Sequence, residues 1–388
     1  MPTVDVLDVS LIRGGPFYSA QVVTRLIRPD RWNMGRRIIF SVAIGWLPLV
    51  LLTVLFQPRA LGTLLRDYMV SARMLIAVPI LLLGQMLMES RFRMIVNQVR
   101  KTLLSGVDLA RLETILARLV RLRDSALPEL ILVALVLVHS ASIYHERISL
   151  GTAWIVHGLG TPTGPHLTPA GWYYALVSQT IYQFLVALCL WKWLLWTVFL
   201  FKLSRLNLKL EVTHPDKHGG IGFLGMSPIG FAPIAFAIAT AIGATWRHAI
   251  IYNGAHLITF KLPAIALLLV IVIIAVGPLL FFVPKLAVLR RKGILEYGSL
   301  AHLHSTEFNE KWILNREGRE GELLSAPEIS SLTDLASSYE NVEKMQPFPL
   351  EKGSLLALAL AVAIPVLPTI LAEIPIKVVL KGLLEAMR

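Results

Sequence analysis

Long apolar runs separated by short segments rich in arginine and lysine make up most of this chain from residue 38 onward. Seven runs stand out, at 38–56, 69–89, 128–144, 173–201, 221–244, 262–284 and 353–372. Each holds about 17 or more mostly apolar residues, which as a helix crosses a ~30 Å hydrocarbon layer. In such a layer only structures that satisfy their own backbone persist, and single uninterrupted runs of this length specify helices. The pattern predicts an all-α, polytopic transmembrane helical bundle of about seven spans with cytoplasmic amphipathic helices. If the last run folds back on itself, it predicts six spans plus a re-entrant hairpin.

Between the runs, the polar segments carry helical periodicity of their own. In 90–125, Ile95, Val99 and Leu103, then Leu109, Leu112, Ile115, Leu116 and Leu119, recur at helical spacing with Arg and Lys between them. Gly106 and Asp108 should divide this stretch into two helices, with Asp108 as N-cap. A basic amphipathic hairpin of this kind suits a membrane surface or a neighbouring subunit. Beyond the sixth run, Leu289, Tyr297, Leu300, Ala301, His304, Phe308 and Trp312 fall on one helical face, so that span should continue past the bilayer. Ser325, Pro327 and Glu328 then offer a helix start. At the C-terminus, Pro365, Pro368 and Pro375 leave two readings open. The run crosses once, or it bends back and returns Lys377, Lys381 and Arg388 to the starting side.

The expected organisation is therefore a cytoplasmic N-terminal segment (1–37), a first transmembrane hairpin (38–89) and a basic cytoplasmic helical hairpin (90–127). A transmembrane bundle carrying the His214–Gly225 loop (128–284) and a cytoplasmic helical module (285–352) follow. A last transmembrane or re-entrant segment with an interfacial tail (353–388) completes the chain.

Composition agrees with the pattern. Of 388 residues, 55% are hydrophobic and 16% charged, well under the quarter that is usual in globular proteins. The N-terminal stretch MPTVDVLDVSLIRGG lacks a secretion signal, so the first span is expected to stay in the mature protein. Cys189, the lone cysteine, excludes an intramolecular disulfide and a cysteine-based zinc cage. The net charge of +12 changes meaning once it is placed along the chain. Segments 1–37, 90–127, 202–220 and 285–352 hold 6, 8, 4 and 9 Lys plus Arg, whereas 57–68, 145–172 and 245–261 hold 2, 1 and 2. That asymmetry orients the N-terminus toward the cytoplasm. The expected partners are the bilayer, with its anionic headgroups, and further copies of the chain, rather than nucleic acid. Trp172-Tyr173-Tyr174, Tyr144 and Trp246 fall at the outer span edges, where aromatic rings favour the interface.

Candidate chemistry gathers in THPDKHGGIGFLG, residues 213–225. The tetrapeptide from His214 to Lys217 matches a J-domain loop, but a membrane span follows where the second soluble helix should stand. Gly220, Gly222 and Gly225 spell a dinucleotide fingerprint, but no strand precedes them and no parallel sheet can form. Three readings survive. Asp216 caps the start of the fifth span. Alternatively His214, Lys217, His218, Gly219, Gly220 and Gly222 hold an anion or lipid headgroup at a helix start. In the third, His214, Asp216 and His218 join His302 and His304 around a divalent metal, the one cofactor the sequence suggests. Positions i and i+2 on a helix point ~200° apart, so only one of His302 and His304 can face such a site.

Ionisable residues inside spans are functional hypotheses by default. Lys192 sits well within the fourth run, with Glu373 as a candidate counter-charge and Gln179 and Gln183 further toward the outer side. His139 and Ser140 make the third run polar near its outer end. Arg73 and Glu89 lie near span ends and should reach water. His145, His157, His166, His248 and His256 are scattered over the outer loops, where loop hydrogen bonds are a simpler role than pH sensing.

The pieces HPDKHGGIGFL, YGSLAHLHSTEFNEKW and DLASSYENVEKM, followed by a proline-rich last span, resemble a group of bacterial multi-pass inner-membrane proteins. The resemblance covers the chain from residue 205 onward and implies a bacterial inner membrane, with no activity or catalytic residue attached to it. With no catalytic constellation in the sequence, the leading expectation is permeation, as a channel or transporter for an ion or small solute. The alternatives are signalling or assembly through the cytoplasmic helices, then a metal- or lipid-phosphate-dependent membrane enzyme.

Overall fold

A computed structural model describes residues 10–28, 32–142, 152–157, 165–314 and 327–373. Tyr144, His145, Ser325, Pro375, Lys377, Lys381 and Arg388 lie outside the described residues. The described chain is almost wholly helical. After α1 (Pro16–Val23) come α2 (Met34–Phe56) and α3 (Tyr68–Leu103), then α4 (Gly106–Asp124) and α5 (Ala126–Ser142). A two-stranded hairpin, β1 (Val156–His157) against β2 (His166–Leu167), pairs Val156 with Leu167. Next are α6 (Pro169–Ser204), α7 (Gly222–Asn253), α8 (Leu257–Leu314), α9 (Pro327–Glu343) and α10 (Lys352–Ile370).

Six of these helices, α2, α3, α6, α7, α8 and α10, are long and apolar enough to cross a membrane. They coincide with six of the seven predicted runs. The third run, α5, has 17 residues and meets α4 at a 45° bend, so the pair forms at most one broken or re-entrant span. Over Lys352–Ile370 the last run is one helix, not a hairpin. It lies parallel to α7, tied by Ser354 Oγ donating to the Gly225 carbonyl at one end (2.6 Å) and Thr369 Oγ to the Gly243 carbonyl at the other (2.8 Å). Only glycine permits this approach: a Cβ on Gly225 would stand 2.8 Å from the Glu351 backbone nitrogen.

Prolines within the spans explain several of the polar contacts. A proline lacks the N–H that its helix would deliver to an earlier carbonyl, and lipid offers no substitute donor. Pro48 in α2 removes the donor for Ile44, and Tyr173 OH bonds that carbonyl at 2.8 Å. Pro278 does the same to Ile274, whose carbonyl receives Trp193 Nε1–H at 3.0 Å. In the 3-10 start of α7, Pro228 leaves Gly225 without an i+3 donor, which is where Ser354 binds. Tyr173 and Tyr174 thus point into the bundle rather than anchoring at the interface; Trp172 remains exposed.

The segments richest and poorest in positive charge gather at opposite ends. At one end Lys209 N bonds Leu103 O (2.9 Å), and Gly219 sits against Leu286, Leu289 and Met345. At the other, Asp67 accepts Trp154 Nε1–H (3.0 Å) and Arg247 lies over the Tyr68 ring.

Three cytoplasmic expectations change. Residues 10–23 are no free tail: Leu11 and Ile12 are buried, and Ser10 Oγ donates to Glu89. Helix α4 begins at Gly106 after Ser105, so Asp108 lies in its first turn, paired with Arg111, and is not its cap. Its stripe of Leu112, Leu116 and Leu119 is buried against the chain's own α6, while Val107 and Leu122 of the same helix stay exposed. The predicted extension of the sixth span does form. At about 1.5 Å per residue, the 58 residues of α8 reach far beyond a ~30 Å layer. Tyr297, Ala301, His304, Phe308 and Trp312 turn toward covered surroundings, α9 among them, while Leu300 faces out.

Candidate functional site

The His214–Gly225 loop folds around one side chain. Asp216 Oδ1 accepts N–H groups from His218 (2.9 Å) and Gly220 (3.1 Å), and Oδ2 accepts that of Gly222 (2.9 Å). His214 Nδ1 lies 2.8 Å from Oδ1. Lys217, Gly219 and Gly220 have positive φ, a backbone path that turns the alternate amides of His218, Gly220 and Gly222 toward the carboxylate. Burial alone would raise the Asp216 carboxyl, but the three N–H groups and the His214 ring outweigh it and hold it below the usual carboxylate range. The anion in this nest is therefore the chain's own carboxylate. The backbone N–H groups of His218, Gly220 and Gly222, which an outside phosphate or headgroup would need, are already bonded to it. Lys217 O accepts Gln346 N–H (2.7 Å) and His218 Nδ1 meets Gln346 O (3.1 Å), so the loop also clamps the strand-like segment leading into α10.

The metal reading loses its second half. His302 and His304 stand nine and eleven residues beyond Gly293, the α8 residue that packs on Val212 just before the loop, a distance of roughly 14–17 Å along the helix. His302 is exposed, and His304 Nε2 pairs with Ser331 Oγ on α9 (3.0 Å). No cluster of three or more His, Cys, Asp or Glu suited to a metal occurs among the described residues.

Polar chemistry lies instead inside the bundle, at two depths along the α3–α6 pair. Nearer the basic end, Arg37 (3% exposed) donates Nε–H to Gln21 Oε1 (2.8 Å) and Nη2–H to Gln85 Oε1 (3.0 Å). Gln85 reaches Cys189 Sγ (3.8 Å), one turn of α6 before Lys192, itself 4% exposed. Lys192 interacts electrostatically with Cys189, Arg37, Glu129 and Arg123, but not with Glu373. Among the described residues neither Arg37 nor Lys192 forms an ion pair. The Glu129 carboxylate is taken by the Phe17 N–H (2.7 Å) and Glu89 by Ser10 and Arg93. A cavity of about 180 Å³, walled by Phe17, Phe40, Ile44 and Phe184, opens beside Arg37 and Gln21.

Nearer the other end, Arg73 donates to Tyr174 OH (2.6 Å), Gln179 Oε1 (3.0 Å) and Thr245 Oγ1 (3.3 Å). Arg73 and Tyr174 each lie in a π-helical segment, Ala72–Ala77 and Tyr174–Ser178, a local widening frequent at functional sites. Arg73 is thus partly exposed, bonded into the bundle through Tyr174 and Gln179 and open at its Thr245 contact. Between the two centres, Val78, Leu81, Leu82, Leu185 and Leu188 are packed almost without exposure.

The other predicted positions fall elsewhere. Glu373 accepts Leu257 N–H (2.5 Å) beside His256 (3.6 Å) at the end opposite the basic one, so it is no counter-charge for Lys192. His139 faces outward, while Ser140 turns in and bonds Gln183 (3.1 Å). Arg37 and Gln85 were not anticipated. Arg36-Arg37 reads as a basic flank of the first span, and Gln85 is a single polar residue in an apolar run. Neither a protein-family profile, a curated protein nor a solved structure matches the chain.

Proposed function

We propose that the chain is a multi-pass membrane permeation protein that carries an anionic solute, a transporter rather than an open channel. One observation carries this reading: Arg37 and Lys192 are both buried between apolar helices, with no carboxylate of the described residues bonded to either. A cation in a span is costly unless something neutralises it. An anion passing the Arg37–Lys192 centre would do so, and Arg73 offers a second station about 20 Å along the helix pair, as Gln179 and Lys192 are thirteen residues apart. The leucine and valine layer between the stations calls for alternating access. The charge asymmetry and the resemblance support a bacterial inner membrane with a cytoplasmic N-terminus as its setting.

The test is flux of chloride, nitrate, phosphate and small carboxylates in liposomes holding the purified protein. Lys192→Met should lower transport of the accepted anion by about an order of magnitude while leaving expression and elution volume unchanged. If Lys192 only balances Glu129, the substitution instead lowers thermal stability and Glu129→Gln restores it. That result with unaltered flux removes the permeation reading.

A second reading, assembly or signalling through the extra-membrane helices, draws on α8. Beyond any single span it exposes Leu295, Leu300 and Leu303, more apolar surface than a solvated hairpin with α9 requires.

A further inference from the structure

At the basic end of the bundle, α4 and the last turn of α6 border an open cavity of about 360 Å³. Four cations line it: Arg111 and Arg118 from α4, Lys202 and Arg205 from the end of α6. Arg111 and Arg118 are seven residues apart and so share one helical face, which flanks the buried Leu112–Leu116–Leu119 stripe. Arg205 lies over the Phe201 ring (5.1 Å), which is itself exposed on α6. Only Arg111 has an ion-pair partner, Asp108 at 3.2 Å; Arg118, Lys202 and Arg205 have none among the described residues. Lys285 adds a fifth positive charge nearby, coupled to both Arg205 and Asp108.

A helix C-terminus favours one or two cations through its dipole, which accounts for Lys202 and Arg205. It does not account for two arginines delivered to the same cavity by a different helix. Four exposed cations opening on one groove, with Asp108 bonded only to Arg111, favour an anion that presents several acceptor oxygens. A phosphate group has that chemistry. Its source follows from position: the cavity lies where α6 leaves its apolar stretch, with Ile115 and Phe201 forming an apolar lip below the cations. Phosphate above and hydrocarbon below is the layout of a lipid, and basic pockets between spans hold anionic headgroups on this side of a membrane.

We propose that the Arg111–Arg118–Lys202–Arg205 cavity binds the headgroup of an anionic phospholipid, locking α4 against α6. This site is separate from the His214–Gly222 loop and independent of the transport reading.

The experiment is native mass spectrometry of the full chain, titrated with phosphatidylglycerol or phosphatidylcholine. Phosphatidylglycerol should be retained at one tight site, and Arg118→Ala/Lys202→Ala should weaken it about thirtyfold, the loss of two cations near an anionic surface. Arg118→Lys/Lys202→Arg, which keeps the charge, should retain it, and Arg59→Ala/Lys261→Ala at the opposite end should change nothing. Equal retention of phosphatidylcholine, or full retention by the alanine pair, overturns the proposal. So does displacement of the lipid by millimolar inorganic phosphate, which would assign the cavity to a soluble phosphate compound.

Discussion

The Asp216 carboxylate illustrates what one residue can organise. Three backbone N–H groups and the His214 ring converge on it, so Asp216→Ala strands donors that no other group can reach. It should destabilise the protein by about 1–3 kcal/mol, whereas His214→Ala and His218→Ala should each cost under about 1 kcal/mol. Thermal unfolding of the three variants in detergent checks the order; equal effects would contradict it. The carboxyl is held below its unfolded value, so its contribution is complete above the unfolded pKa of about 3.9 and disappears as pH falls through the lower folded value. Wild-type stability should thus decline in that acid range more steeply than that of Asp216→Asn. Parallel slopes would mean the nest does not discriminate the charged form.

At the scale of elements, the spans are joined by donors placed where prolines leave carbonyls open. Tyr173→Phe deletes only the hydroxyl that serves Ile44 and should cost about 0.6–1.7 kcal/mol, the span for hydrogen bonds between helices in lipid. In Pro48→Ala the restored amide at position 48 can serve Ile44 itself, so Tyr173→Phe should cost markedly less in that background. Additive effects in this double-mutant cycle would show that the tyrosine acts otherwise. The same logic explains how α7 and α10 tolerate glycine and proline in their interiors. Gly225 and Gly243 let the backbones meet, and Ser354 and Thr369 bond the carbonyls exposed there.

For the whole molecule, the decisive property is polarity between its ends. The basic end collects 90–127, 202–220, 285–314 and 327–352, and the other collects 57–68, the β1–β2 hairpin and 245–261. Cysteines at the exposed positions Ser105, Asn207 and Ser330 should resist a membrane-impermeant reagent in intact cells, while Arg59 and Asn253 replaced in the same way should react. Cys189 is buried and gives little background. Ser204, though equally basic-end, is buried and unsuited to this test. Exterior labelling of Ser105 or Asn207 would invert the orientation.

Much of this architecture was written along the chain. Apolar run length alone located α2, α3, α6, α7, α8 and α10, because a helix satisfies its own backbone and needs nothing from the rest of the fold. The helical face of α8 and the capping role of Asp216 were legible for the same reason, since both depend on neighbours within a few residues. Contacts across the bundle were not. The stripe on α4 reads equally well as facing lipid, a partner or α6, and only the packed chain chose α6. His302 and His304 share residue types with the loop histidines, but rise per residue along α8 carries them away from it. Lys192 announced itself by its charge, whereas its neighbours Arg37 and Gln85 come from two other helices, brought together by a registry that no local pattern encodes. Sequence determined what could enter the membrane and which end is basic; tertiary structure decided which buried charges meet, because that depends on how helices distant in the chain are rotated and shifted against one another.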